Sequence, residues 1–88
     1  LHGRKTASGA KFDQAALVTA HRTLPFGTTV TLCRSDRPWR CVKVTVVDRG
    51  PFVKSRSWDL SHRAAQALGA LNTGVVPVFV QEPKGERD

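Results

Sequence analysis

Two β-branched runs, residues 28–34 and 40–48, flank the turn-rich tetrapeptide Ser35-Asp36-Arg37-Pro38, and each run carries one of the chain's two cysteines. That layout predicts an antiparallel hairpin. If Cys33 faces Cys41, then Val30 faces Val44 and Leu32 faces Val42, which assembles one apolar face. Thr29 then faces Thr45 and Thr31 faces Lys43 on the other side, beside the cysteines. The apolar pattern and the cysteine pairing ask for the same register. Their agreement favours a Cys33–Cys41 disulfide over the alternative of two reduced thiols. Closing so short a loop contributes about 2.5 kcal/mol in the chain-entropy account. A staple suits 88 residues, enough for one small domain and too few for two cores. A disulfide also implies an oxidising compartment.

The second run ends in a carboxylate, followed at once by a guanidinium and a Gly-Pro break: Val44-Thr45-Val46-Val47-Asp48-Arg49-Gly50-Pro51-Phe52. Asp48 shares the parity of Val42, Val44 and Val46, so it points towards the core side just where the core runs out. At such a rim the strand fixes the carboxylate while the loop leaves room for a ligand. Partial desolvation there favours the protonated carboxyl that a general acid needs. The structural alternative is a carboxylate paired with Arg49 or Arg56, or capping backbone amides.

Elsewhere the signals are weaker. Residues 1–27 read as loop with short strands, with a turn at Thr6-Ala7-Ser8-Gly9 and a tight corner at Leu24-Pro25-Phe26-Gly27. Residues 61–69 form the one good helix: Ser61 suits the N-cap, Gly69 the C-terminal cap, and Ala64, Ala65 and Leu68 make the apolar stripe. Residues 74–80 read as a last strand, with Pro77 marking an edge or a bulge. The domain is expected over residues 1–81, followed by a charged tail over 82–88. Short strands plus one short helix make the chain mainly β and suggest a small β-barrel.

A net charge of +7 predicts attraction to polyanions, among them nucleic acid, anionic lipid and acidic wall polymers. The basic residues are spread along the chain, so charge alone does not choose among these, and a basic protein with no polyanion partner is the plain alternative. The longest apolar stretches are far too short to span a membrane. No apolar leader segment lies near Leu1, so a signal peptide is either removed or never present. The three histidines lack metal-ligand spacing, and two cysteines in a hairpin do not make a zinc site.

Four motifs in order carry a resemblance: Gly3-Arg4-Lys5-Thr6-Ala7-Ser8-Gly9, the stretch Leu17 to Thr28 with Thr19-Ala20-His21-Arg22-Thr23-Leu24-Pro25-Phe26-Gly27, then Asp48-Arg49-Gly50-Pro51-Phe52, and finally Asp59-Leu60-Ser61 with Ala64-Ala65-Gln66-Ala67-Leu68-Gly69. Over about residues 2–81 the chain resembles the rare lipoprotein A (RlpA) family. The resemblance implies a six-stranded double-psi β-barrel, the fold of expansins, barwin and certain lytic transglycosylases. It also implies a cell-envelope protein that cleaves peptidoglycan glycan strands, with Asp48 on the family's catalytic aspartate and His21 on a histidine of the same cleft. Two departures stand out. The family usually reads Thr-Ala-(Ser/Asn)-Gly-Glu, and the glutamate position is Ala10 here. Family members also usually open with a short aromatic strand, and this chain starts just after where that strand would end, which suggests a trimmed or processed form or a barrel closed some other way.

For the substrate that the resemblance implies, Thr6 and Ser8 offer hydroxyls to the glycan, and Arg22 and Arg49 offer guanidinium groups to the lactyl carboxylate of muramic acid, with turn chemistry and solvated charge as the alternative. Phe52 and Trp58 are candidate stacking platforms, with a core role as the alternative. Trp39, beside the hairpin tip, suits a membrane or glycan contact, or a cover for the disulfide. Asp13 is a possible substitute for the missing glutamate and otherwise a turn residue. Asp59 sits where it favours the helix start. Two functional classes follow, an Asp48-dependent lytic transglycosylase and an expansin-like module that binds glycan without cutting it. A nucleic-acid-binding basic barrel is a minor third, and paired cysteines argue against it. Neither acid–base cleavage nor sugar binding requires a cofactor. The expected protein is a monomer in the periplasm, cell envelope or extracellular space, with peptidoglycan or a related polysaccharide as its partner and no nucleic acid.

Overall fold

The computed structural model describes residues 5–53, 56–72 and 75–81. Gly3 and Arg4 of the first motif, Gly74 of the last expected strand and the tail 82–88 lie outside the described residues. The elements run β1 (Val18–Ala20), β2 (Thr29–Arg34), β3 (Cys41–Asp48), β4 (Asp59–Leu60), α1 (His62–Leu68) and β5 (Val78–Val80). They build one curled five-stranded sheet in the order β4-β1-β3-β2-β5, with an isolated bridge between Lys5 and Lys11.

The β2–β3 hairpin takes the register its side chains ask for: Val30 opposite Val44, Leu32 opposite Val42, Thr31 opposite Lys43 and Cys33 opposite Cys41. The two cysteines are joined as a disulfide. Along β3 burial alternates, with Val42, Val44, Val46 and Asp48 inside and Lys43 outside. Period-two patterning puts a carboxylate at the end of an apolar row. Leu32, Val42, Val44, Ala64, Leu68 and Ala70 form the core, with Val30, Trp58, Leu60 and Val78 packed around it.

The helix closes one side of that core. Ser61 is its N-cap: the Ala64 amide donates to Ser61 Oγ, while the Ser61 hydroxyl donates to the Ala16 carbonyl. One fully buried serine thus satisfies the helix start and a loop. Gly69 ends the helix at φ 74°, a left-handed cap that a side chain would strain. Arg34 reaches across and donates to the Gly69 carbonyl at 2.8 Å, while its Nε and Nη2 each donate to Asp36 at 3.0 Å. That fork-to-carboxylate pairing holds the Asp36 carboxyl below its ordinary range.

β1 and β4 are the elements with little sequence signal, at three and two residues. β1 lies parallel to β3, pairing Val18 with Thr45 and Thr19 with Val46. The register then shifts, so that Ala20 pairs with Asp48. β4 runs antiparallel on the outer side of β1. The last strand is shorter than expected, at Val78–Val80, and sits at the sheet edge beside β2. Pro77 stands just before it, where its missing N–H costs no ladder bond and its carbonyl accepts from the Ser35 amide.

Candidate active site

The parallel ends of β1 and β3 bring His21 beside Asp48. The His21 amide donates to the Asp48 carbonyl at 3.1 Å. Asp48 is 5% exposed. Its Oδ1 accepts from the amides of Ala7 and Arg49, each at 2.9 Å. Two backbone donors on one oxygen orient the carboxyl plane. The Ala7 contact also fixes the loop Thr6–Ala10 above the strand end. This loop is internally tied: the Thr6 amide and hydroxyl both donate to the Ala10 carbonyl, and the Ala10 amide donates to Ser8 Oγ. Thr6 has spent its proton on Ala10, so the 3.0 Å contact between the two hydroxyls runs from Ser8 to Thr6. Thr6 is buried and builds the loop, whereas Ser8 is exposed at its outer side.

The His21 ring has a defined tautomer. The amides of Thr23 and Leu24 donate to Nδ1 at 3.2 and 3.1 Å. Nδ1 is therefore the acceptor nitrogen, and in the neutral ring Nε2 carries the proton. Partial burial, reinforced by the positive charges of Arg22 and Arg49, pulls the imidazole pKa below its ordinary 6.5. The ring lies against Trp58, centroids 4.4 Å apart.

The two arginines are both engaged by protein. Arg49 donates from Nη1 to the His21 carbonyl at 3.2 Å and lies 4.0 Å from the centroid of the Phe26 ring. Arg22 donates from Nη2 to the carbonyls of Val53 and Arg56, binding the two sides of the segment that follows the Asp48 loop. Gly50, at φ 122°, turns that loop away from β3 through a conformation open mainly to glycine. Phe52 follows and stands 81% exposed at the rim. Asp13 closes a local turn, its Oδ1 accepting from the Ala15 amide.

Asp48, His21, Arg49 and the Thr6–Ser8 loop thus meet at one end of the sheet, with Phe52 on the rim and Arg22 buttressing the loop. Two participants had no local sequence signal. Ala7 contributes only its amide, from a position 41 residues away in the chain. Phe26 lies under Arg49 because the Gly27 amide bonds to the Val46 carbonyl, carrying the Leu24–Gly27 corner onto β3. A separate concavity of about 600 Å³ opens between β4, α1 and residues 75–78, floored by Leu32 and Leu68. Its lining includes Trp58 and neither Asp48 nor His21.

A mainly β chain with one short helix, a curled sheet and a strand-end carboxylate under an N-terminal loop defines a small β-barrel domain with a carboxylate-centred candidate site at one end of its sheet. Residues 1–80 match the lytic transglycolase family of double-psi β-barrel domains, and the chain belongs to that family. It is 51% identical over 77 residues to the probable endolytic peptidoglycan transglycosylase RlpA of Aquifex aeolicus, covering 88% of this chain and 34% of that protein. The corresponding protein of a Nostoc species is 47% identical over 79 residues, 90% of this chain and 21% of its own length. The endolytic peptidoglycan transglycosylase RlpA of Campylobacter jejuni is 43% identical over 81 residues, 92% of this chain and 29% of its own. The chain therefore spans between about a fifth and a third of these relatives.

Proposed function

We propose that this domain cleaves peptidoglycan glycan strands as a lytic transglycosylase of the cell envelope, with Asp48 as its acid and base. The observation that carries the reading is the buried carboxyl at the end of β3, oriented by the Ala7 and Arg49 amides and flanked by His21. Membership of the family and the printed activity of its relatives support the substrate class. The disulfide supports an oxidising location such as the periplasm. A monomer suffices, because every side chain the chemistry uses comes from one chain.

The reaction needs one proton out and one back. Protonated Asp48 gives its proton to the glycosidic oxygen as the bond from the muramic acid anomeric carbon breaks. The 6-hydroxyl of the same sugar then bonds to that carbon, and its proton passes to the Asp48 carboxylate. A 1,6-anhydro ring forms, no water is consumed, and the carboxyl ends as it began. His21, neutral and with its proton on Nε2, donates a hydrogen bond to the sugar. Arg49, fixed between Phe26 and the His21 carbonyl, offers its remaining N–H groups to the lactyl carboxylate. Ser8 and Phe52 supply a hydroxyl and a stacking face at the rim.

Ala10 favours a second reading, a module that grips glycan without cutting it. It stands in the same tight loop whose Ala7 amide holds Asp48, where the family's usual carboxylate is absent. Mass spectrometry of products released from purified peptidoglycan, intact and stripped of stem peptides, separates the two. Soluble glycans with 1,6-anhydro ends are the expected result. Retention of the protein on the insoluble wall without any product would establish the binding module instead.

A further inference from the structure

The pole of the domain opposite Asp48 carries a second and chemically different surface. β3 runs eight residues from Cys41 to Asp48, so the hairpin tip stands about 23 Å from the candidate site. The tip is firmly built. The disulfide ties its base, the Arg40 amide donates to the Arg37 carbonyl at 2.8 Å, and the Arg34 amide donates to the Arg40 carbonyl at 3.0 Å. On this platform Trp39 is 78% exposed. Its indole has no role in the core, and exposing so large a ring on a stapled turn is costly unless something covers it.

The surroundings say what kind of partner fits. Arg37, Arg40 and Lys43 are exposed around the tip. The one nearby carboxylate of the turn, Asp36, is neutralised by its paired bonds to Arg34. Two further apolar residues border this pole. Arg34 bonds to the Gly69 carbonyl, two residues before the exposed Leu71, and Ser35 bonds to Pro77, two residues after the exposed Val75. No residue of the tip lines the concavity between β4, α1 and residues 75–78, whereas a bound sugar is held by a concave groove with converging polar groups. A planar, fluid, anionic interface accepts a projecting indole and flanking guanidinium groups directly.

We infer that the Arg37–Arg40 hairpin tip docks on an anionic phospholipid surface. Trp39 seats among the headgroups, and Arg37 and Arg40 pair with lipid phosphates. With the tip on a membrane, the Asp48 end of β3 lies away from it. The inference does not depend on Asp48 being catalytic.

Co-sedimentation with phosphatidylcholine vesicles, with and without about 30 mol% phosphatidylglycerol, tests it on the intact chain. Binding is expected only to the anionic vesicles and weakens with salt. Replacing both arginines (Arg37→Gln with Arg40→Gln) lowers partitioning about 25-fold, taking about fivefold for each cation, and Trp39→Ala lowers it more than tenfold. All three positions are exposed, so unchanged circular dichroism and melting keep the comparison clean. In a Trp58→Phe background, Trp39 emission shifts to the blue and is shielded from acrylamide on anionic vesicles. Vesicle binding that survives these substitutions would assign it to the spread charge and overturn the inference. So would an absence of vesicle binding, or shielding of Trp39 by purified wall material alone.

Discussion

Asp48 and His21 are joined through the backbone: one amide-to-carbonyl bond locks the ends of β1 and β3, and each side chain is then oriented by a separate pair of amides. This arrangement has a consequence for pH. The unfolded chain protonates His21 as pH falls through about 6.5, but the folded imidazole takes its proton only at lower pH. Between those values the unfolded state binds more protons, so stability is full above about 6.5 and declines as pH falls through the window. Protonation also forces Nδ1 to give up the Thr23 and Leu24 amides. Urea unfolding at about pH 7.5 and about pH 5.5 should show the decline. In His21→Gln, whose amide oxygen can accept from the same donors, the decline should shrink. An equal decline in both proteins would place its origin elsewhere.

At the scale of elements, strength follows burial. Leu68 and Leu32 are fully buried in the same core cluster. Leu68→Ala should lower unfolding free energy by about 2–5 kcal/mol, read by urea titration with an unchanged slope. Replacing both Cys33 and Cys41 by serine should cost about 2.5 kcal/mol, a melting temperature lower by roughly 10–20 °C in a domain of this size. How much of this architecture was legible in the sequence depended on how local its cause is. The hairpin register was, because valine parity and two cysteines over-determine it. So were the helix and both its caps, because Ser61 and Gly69 act within one turn. β1 and β4 were not, because three and two residues carry no period, and their pairing with β3 and with each other is decided by tertiary contacts. The site divides in the same way. Parity alone pointed Asp48 inward, whereas Ala7 enters through a backbone amide that any residue type supplies.

Across the whole molecule, a +7 chain has the proposed site at the end of β3 and an exposed tryptophan with exposed cations at the other end. Among the described residues no helix is long and apolar enough to cross a membrane. Diffuse positive charge attracts anionic wall polymers in a salt-dependent way. Retention on purified peptidoglycan should therefore fall several-fold between about 50 mM and about 500 mM salt, measured by pull-down. Salt-independent retention would point to uncharged sugar contacts as the source of affinity. The central claim concerns one carboxyl, and Asp48→Asn addresses it most directly. Asparagine keeps the oxygen that accepts from Ala7 and Arg49, so the fold and wall retention should stand. The rate of 1,6-anhydro product formation should drop by about 100-fold or more. A variant that still cleaves within a few-fold of the original would contradict the assignment of Asp48 as acid and base.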